Sequence, residues 1–82
     1  MSSRSEIMDL IASELRDMGI HLPDSLHEGL SFRQDLGLDS LTIIEFVARM
    51  ELVFHFEVPD QDWRQLVNLG LVADYIEAHS SQ

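Results

Sequence analysis

The chain contains no cysteine and no lysine, only two prolines and four glycines, and no long apolar run. Without cysteine there can be no disulfide staple and no thiolate metal site, so any thiol chemistry has to be imported. A membrane-spanning helix needs about 20 consecutive apolar residues, and none are present. The start, MSSRSEIMDL, has neither the cationic region nor the apolar stretch of a signal peptide, which predicts a cytoplasmic protein. Cations are also scarce: five arginines face fifteen acids, for a net charge of −10. That field repels phosphate backbones and anionic lipid and argues against nucleic acid or a membrane as partner. Residues 1–40 carry three arginines against eight acids and residues 41–82 two against seven, so neither half is a separable acidic tail.

What remains is apolar enough to fold. At 82 residues and 45% hydrophobic composition the chain fits one domain, 1–82, with a thin core, expected to act as a monomer. Ser3 followed by Glu6 reads as a capping box, and Ile7, Leu10, Ile11, Leu15 and Met18 then recur at helical spacing before Gly19. Residues 20–39 contain Pro23, Gly29 and Gly37 and read as a long connection. Ile20, Leu22, Leu26, Leu30, Phe32 and Leu36 predict that it is pinned to the core. A connection of this length is a pointer to function.

From Ser40 to Phe54 nothing breaks a helix, and there are more apolar positions than one face can use. Ile43, Phe46, Val47, Met50 and Phe54 form one stripe; Leu41, Ile44, Ala48 and Leu52 form a second, predicted to face a partner. After Pro59, Asp60 is expected to cap a short helix holding Trp63, Leu66 and Val67. Asn68 is expected to cap a last one carrying Leu69, Val72, Tyr75, Ile76 and His79. The result is an all-α four-helix bundle with a short third helix and a long loop between helices one and two. Met1–Ser2 and Ser80–Gln82 read as flexible ends.

Several chemistries fail on spacing. A calcium loop starting at Asp35 places Phe46 where the bidentate glutamate belongs, and one starting at Asp60 meets Gln65 at the turn glycine and Leu71 at the last ligand. His21, His27, His55 and His79 have no metal-ligand spacing and read as surface residues, so no metal site is expected. Ser40 is followed by Leu41 and Thr42 rather than by the glycine of a nucleophile elbow, and no strand precedes it, which argues against hydrolysis. Asp39 and Ser40 read locally as a helix N-cap.

The run Asp35-Leu36-Gly37-Leu38-Asp39-Ser40-Leu41 resembles the phosphopantetheine attachment site of acyl carrier proteins. The similarity extends through Ser31-Phe32 upstream, and through Val58-Pro59-Asp60 and Asp74-Tyr75-Ile76-Glu77 downstream. The resemblance implies a non-catalytic carrier whose Ser40 receives 4′-phosphopantetheine from coenzyme A through a separate Mg²⁺-dependent phosphopantetheinyl transferase. Asp39 would help position the coenzyme and its Mg²⁺, Gly37 would permit the turn before the helix, and Leu41 completes the motif. The arm would supply the thiol that the chain lacks. Acyl-transferring, condensing or ligase enzymes would be the further partners.

The chain also departs from the family pattern. Many fatty-acid carriers have a strongly acidic second helix, but here Thr42, Arg49, Leu52 and Val53 interrupt it and only Glu45 and Glu51 remain. The expected docking face is therefore Leu41, Ile44, Glu45, Ala48, Glu51 and Leu52, more apolar than usual. Trp63 stands where the family is often small or polar, which bears on the shape of any cargo pocket. Phe46, Met50, Phe54, Leu66 and Tyr75 are the expected lining of that pocket. With no evident buried acid to pair with an ammonium, an acyl or polyketide chain is the expected cargo. The alternatives are an aminoacyl or small-acyl carrier loaded by an adenylating ligase and, from another class, an unmodified helical adaptor.

Overall fold

Ser3 starts the first helix as its side chain predicts. In the computed structural model, which describes residues 3–79, the Glu6 amide donates to Ser3 Oγ at 3.1 Å and the Ser3 amide to Glu6 Oε1 at 3.0 Å. This capping box opens α1, Arg4–Asp17. The helix closes with the Gly19 amide donating to the Arg16 carbonyl at 2.9 Å and the Ile20 amide to the Leu15 carbonyl at 3.1 Å, a Schellman pair. Ile7, Ile11, Ala12 and Leu15 are buried, whereas Leu10, expected in the same stripe, lies largely exposed. Ile7, Ile11 and Leu15 set the inward direction; at 100° per residue Leu10 and Ala12 lie about 100° to either side of it, and the fold covers the side of Ala12 and leaves that of Leu10 open. The ends read as flexible, Met1–Ser2 and Ser80–Gln82, lie outside the described residues.

The helix α2, Ser40–Phe54, has the expected bounds. Phe46, Val47, Met50 and Phe54 are buried and Ile43 half-buried, so the first stripe fills the core. With no glycine available to end it, α2 stops at His55 in the left-handed conformation, φ 58°. The third helical piece differs from expectation in kind and extent. It is a 3₁₀ segment, Asp60–Gln65, in which Asp60 sits inside the first turn and makes no cap; Pro59 holds the N-cap position, and Leu66 and Val67 fall beyond the end. Two tertiary demands keep it tight: Leu66 has to turn into the core, and Trp63 Nε1 donates back to the Val58 carbonyl at 3.1 Å. Asn68 caps α3, Leu69–His79, by accepting the Leu71 amide at 2.8 Å. Leu69, Val72 and Ile76 are buried as expected, with Tyr75 half-buried and His79 exposed.

These pieces make an all-helical, four-membered arrangement in which α1 packs on both α2 and α3. The long connection behaves as part of the core. Leu22, Leu30 and Phe32 are buried, Ile20, Leu26 and Leu36 pack against them, and Phe32 meets Phe46 with ring centroids 5.3 Å apart. Burying one phenylalanine contributes about 1.5–3 kcal/mol, and the other apolar anchors add to it in offsetting the entropy of ordering the loop. Its backbone is tied as well: the Phe32 amide donates to the Val67 carbonyl and the Leu69 amide to the Leu30 carbonyl, both at 3.1 Å, around a single bridge between Ser31 and Asn68. Further along, the Gly70 amide donates to the Glu28 carbonyl at 2.8 Å.

One polar cluster is invisible to sequence pattern. Arg4 contacts Glu28 through two nitrogens, at 2.6 and 3.1 Å, reaches Asp74 at 2.8 Å and Glu77 at 2.6 Å, and donates to the Gly70 carbonyl at 3.2 Å. A single guanidinium thus joins the start of α1, the loop and α3. Its bonds to Glu28 hold that carboxyl below the usual glutamate range.

Candidate functional site

The site begins with a turn that needs no helix. The Ser31 amide donates to Asp35 Oδ2 at 2.7 Å while the Asp35 and Leu36 amides donate to the Ser31 carbonyl, so the first acid of the motif is a clamp on its own turn. Gly37 follows at φ 68°, a left-handed conformation that disfavours a side chain. The reversal lets the Leu38 amide donate to the Phe32 carbonyl at 2.8 Å, tying the motif to a fully buried residue. The chain then enters α2 from a fixed direction.

Asp39 is the N-cap of α2, its Oδ1 accepting the Thr42 amide at 2.8 Å. That hydrogen bond, assisted by the charge of Arg33, holds its carboxyl below the usual aspartate range. Ser40 is the first residue of the helix and is exposed. Its hydroxyl accepts from Arg33 Nη2 at 2.5 Å. The positive end of a helix dipole and a guanidinium meet at this hydroxyl, beside the Asp39 carboxylate that caps the same helix start, and both favour added negative charge there.

A cleft opens beside that oxygen. Its outer part, about 170 Å³, is lined by Arg33, Ser40, Ile43, Ile44, Trp63 and Arg64. An inner part of about 110 Å³ shares Arg33, Ile43, Trp63 and Arg64 and reaches down to Phe32 and Leu66. Of the five residues expected to line a cargo pocket, Leu66 alone is on these walls. Phe46 and Met50 are fully buried and Phe54 nearly so, all of them occupied in packing the core. Tyr75 is half-buried between Phe56 and His79, with its hydroxyl donating to Asp62 Oδ2 at 2.8 Å, and this desolvation together with the bond pushes it up to about 12. The cleft residues that sequence reasoning did not assign are Arg33, Ile43 and Arg64; the signal available was the placement of two of only five cations on either side of an apolar segment.

The second stripe of α2 is on the surface. Leu41 is 66% exposed, Ile44 48% and Leu52 78%, and Ala48 and Glu45 are exposed beside them. Glu51 is set apart from this face, half-buried with Oε2 accepting the Val58 amide at 2.8 Å, which makes it a strut for the segment after α2. Arg49 leans toward α1, 3.5 Å from Glu14.

Residues 5–76 match the family described as phosphopantetheine attachment site. The chain is 39% identical over 77 residues to an acyl carrier protein of Bdellovibrio bacteriovorus, covering 94% of each sequence. It is 33% identical to mitochondrial acyl carrier protein 2 of Arabidopsis thaliana, covering 93% of this chain and 60% of that longer one. Among solved structures, the acyl carrier protein of Enterococcus faecalis superimposes with a TM-score of 0.81 at 28% identity, over 96% of this chain and 100% of the other.

Proposed function

Because this chain belongs to the acyl carrier protein family, whose members are non-catalytic and carry covalent 4′-phosphopantetheine, we propose that Ser40 Oγ is the attachment atom. The observation that carries the reading is an exposed serine hydroxyl on the first residue of α2, with Asp39 capping the helix and Arg33 on the hydroxyl itself. In the transfer, Ser40 Oγ bonds to the phosphorus of coenzyme A bearing the pantetheine. The bond from that phosphorus to 3′,5′-ADP breaks, and the hydroxyl proton leaves to a base of the Mg²⁺-dependent transferase. The resulting phosphodiester anion is stabilised where Ser40 stands, at a helix start. The bound group supplies the thiol on which acyl cargo is held as a thioester. Asp39, exposed and ionised, is the residue of this chain suited to help the transferase orient coenzyme and Mg²⁺.

The docking face is Leu41, Ile44, Ala48 and Leu52, with Glu45 at its edge. Its partners are the transferase and acyl-handling enzymes that transfer, condense or ligate the cargo, in fatty-acid or polyketide synthesis. The cleft favours an acyl or polyketide chain over an aminoacyl group, because two guanidinium groups on its walls repel an ammonium and no acid lines it to compensate. No described helix is long and apolar enough to cross a membrane, and we place the carrier in the cytoplasm.

The test is incubation with coenzyme A, Mg²⁺ and a broad-specificity transferase, read by intact mass. Wild type gains one phosphopantetheine and Ser40→Ala gains none. Modification of the Ser40→Ala variant overturns the assignment, and absence of any modification in wild type favours the adaptor reading.

A further inference from the structure

Five cations serve a chain with fifteen acids, and among the described residues two of them, Arg4 and Arg49, form ion pairs. Arg4 holds Glu28, Asp74 and Glu77, Arg49 leans on Glu14, and Arg16 lies in the last turn of α1, at the negative end of its dipole. Arg33 and Arg64, like Arg16, form no ion pair among the described residues, Arg33 acting on Asp39 through its charge alone. They come from separate parts of the chain, the long loop and the 3₁₀ segment, yet both line the outer and the inner part of the cleft that opens at Ser40. Two cations that line one cleft repel each other, and an anion bound to both turns that repulsion into attraction. The remaining walls, Ile43, Ile44 and Trp63, are apolar, and Trp63 is held by its bond to the Val58 carbonyl.

Resting on the attachment at Ser40, we propose that Arg33 and Arg64 clasp the phosphodiester of the attached arm and lay the arm into the cleft against Trp63 and Ile43. Arg33 already touches the oxygen that becomes the ester oxygen, so the phosphate falls within its reach whatever the cargo. The planar guanidinium fork matches phosphate oxygens in pairs, which a lysine does not.

Trp63 is the single tryptophan, so its emission reports on this cleft alone. Acrylamide quenching is measured for the apo protein and for protein whose arm has been confirmed by mass. The attached arm is expected to lower the quenching constant about twofold, as for a half-exposed ring covered by ligand. The Arg33→Gln/Arg64→Gln protein, carrying the arm by mass and melting near wild type, is expected to quench as apo does. Should that variant refuse the arm, a salt titration of wild-type holo protein decides: protection that fades with NaCl supports the clasp, and protection indifferent to it overturns it. Equal quenching of apo and mass-confirmed holo wild type also overturns it, as does protection that persists in the double variant. If protection arises only after loading a cargo with a second carboxylate, the anion read is the cargo's and the phosphate clasp fails. A wild-type protein that gains no mass refutes the attachment at Ser40 instead.

Discussion

Gly70 lies in the first turn of α3, where helix propensity alone makes alanine better by at most about 1 kcal/mol. The tertiary surroundings reverse this. A Cβ at Gly70 would stand 2.8 Å from Glu28 Cβ and 3.0 Å from the Glu28 carbonyl oxygen, the same oxygen that accepts the Gly70 amide at 2.8 Å. The loop cannot retreat without lengthening that bond and moving Glu28 away from Arg4. Overpacking of this kind costs about 1–3 kcal/mol and outweighs the propensity gain. Gly70→Ala is therefore expected to lower stability in urea denaturation by about 1 kcal/mol net; a variant as stable as wild type or more so would show that the loop yields freely. No sequence pattern announces this position, because the clash comes from a residue on another element. Gly37, by contrast, was legible, since its left-handed turn belongs to the motif that contains it.

At the scale of the elements, α2 has one face in the core and a second in solvent. Exposed leucine at position 52 contributes nothing to the packed interior, so Leu52→Gln, which adds no charge at the negative end of the helix, is expected to leave the helical circular dichroism and melting temperature nearly unchanged. It should weaken binding to a cognate partner, by roughly tenfold if the side chain is a central anchor. Loss of helical signal would instead place Leu52 in the core, and unchanged affinity would remove it from the docking face. The elements themselves were readable where their ends are encoded locally: Ser3 with Glu6, Asp39, and Asn68 each satisfy amides within one turn. They were less readable where packing decides. The 3₁₀ geometry of Asp60–Gln65 follows from Leu66 and Trp63 answering to the core, and the cleft walls follow from the loop and that segment meeting, which no periodicity displays. The pocket expected from Phe46, Met50 and Phe54 rested on apolar character, and in a core this thin such side chains are needed as filling.

For the whole molecule, ten unbalanced negative charges set the electrostatics. Salt screens their repulsion over about 8–10 Å near physiological ionic strength, and it screens the attractive bridges of Arg4 as well. Those bridges are surface pairs, each worth about 0–1 kcal/mol, whereas the repulsion is summed over the whole surface, so the repulsive part is the larger loss. Moderate NaCl is accordingly expected to raise the melting temperature; a fall would mean that the Arg4 cluster outweighs the net charge. That cluster also bears on how the molecule opens. Helix ends ordinarily fray one by one, each at its own small cost. Here the guanidinium in the first turn of α1 grips the carboxylate of Glu77 in the last turns of α3 and the Glu28 loop between them. Unwinding the first turn of α1 withdraws the guanidinium from all three carboxylates at once, so opening there also removes a tie of about 0–1 kcal/mol each from the loop and from α3, whereas opening of either of those leaves the other bridges standing.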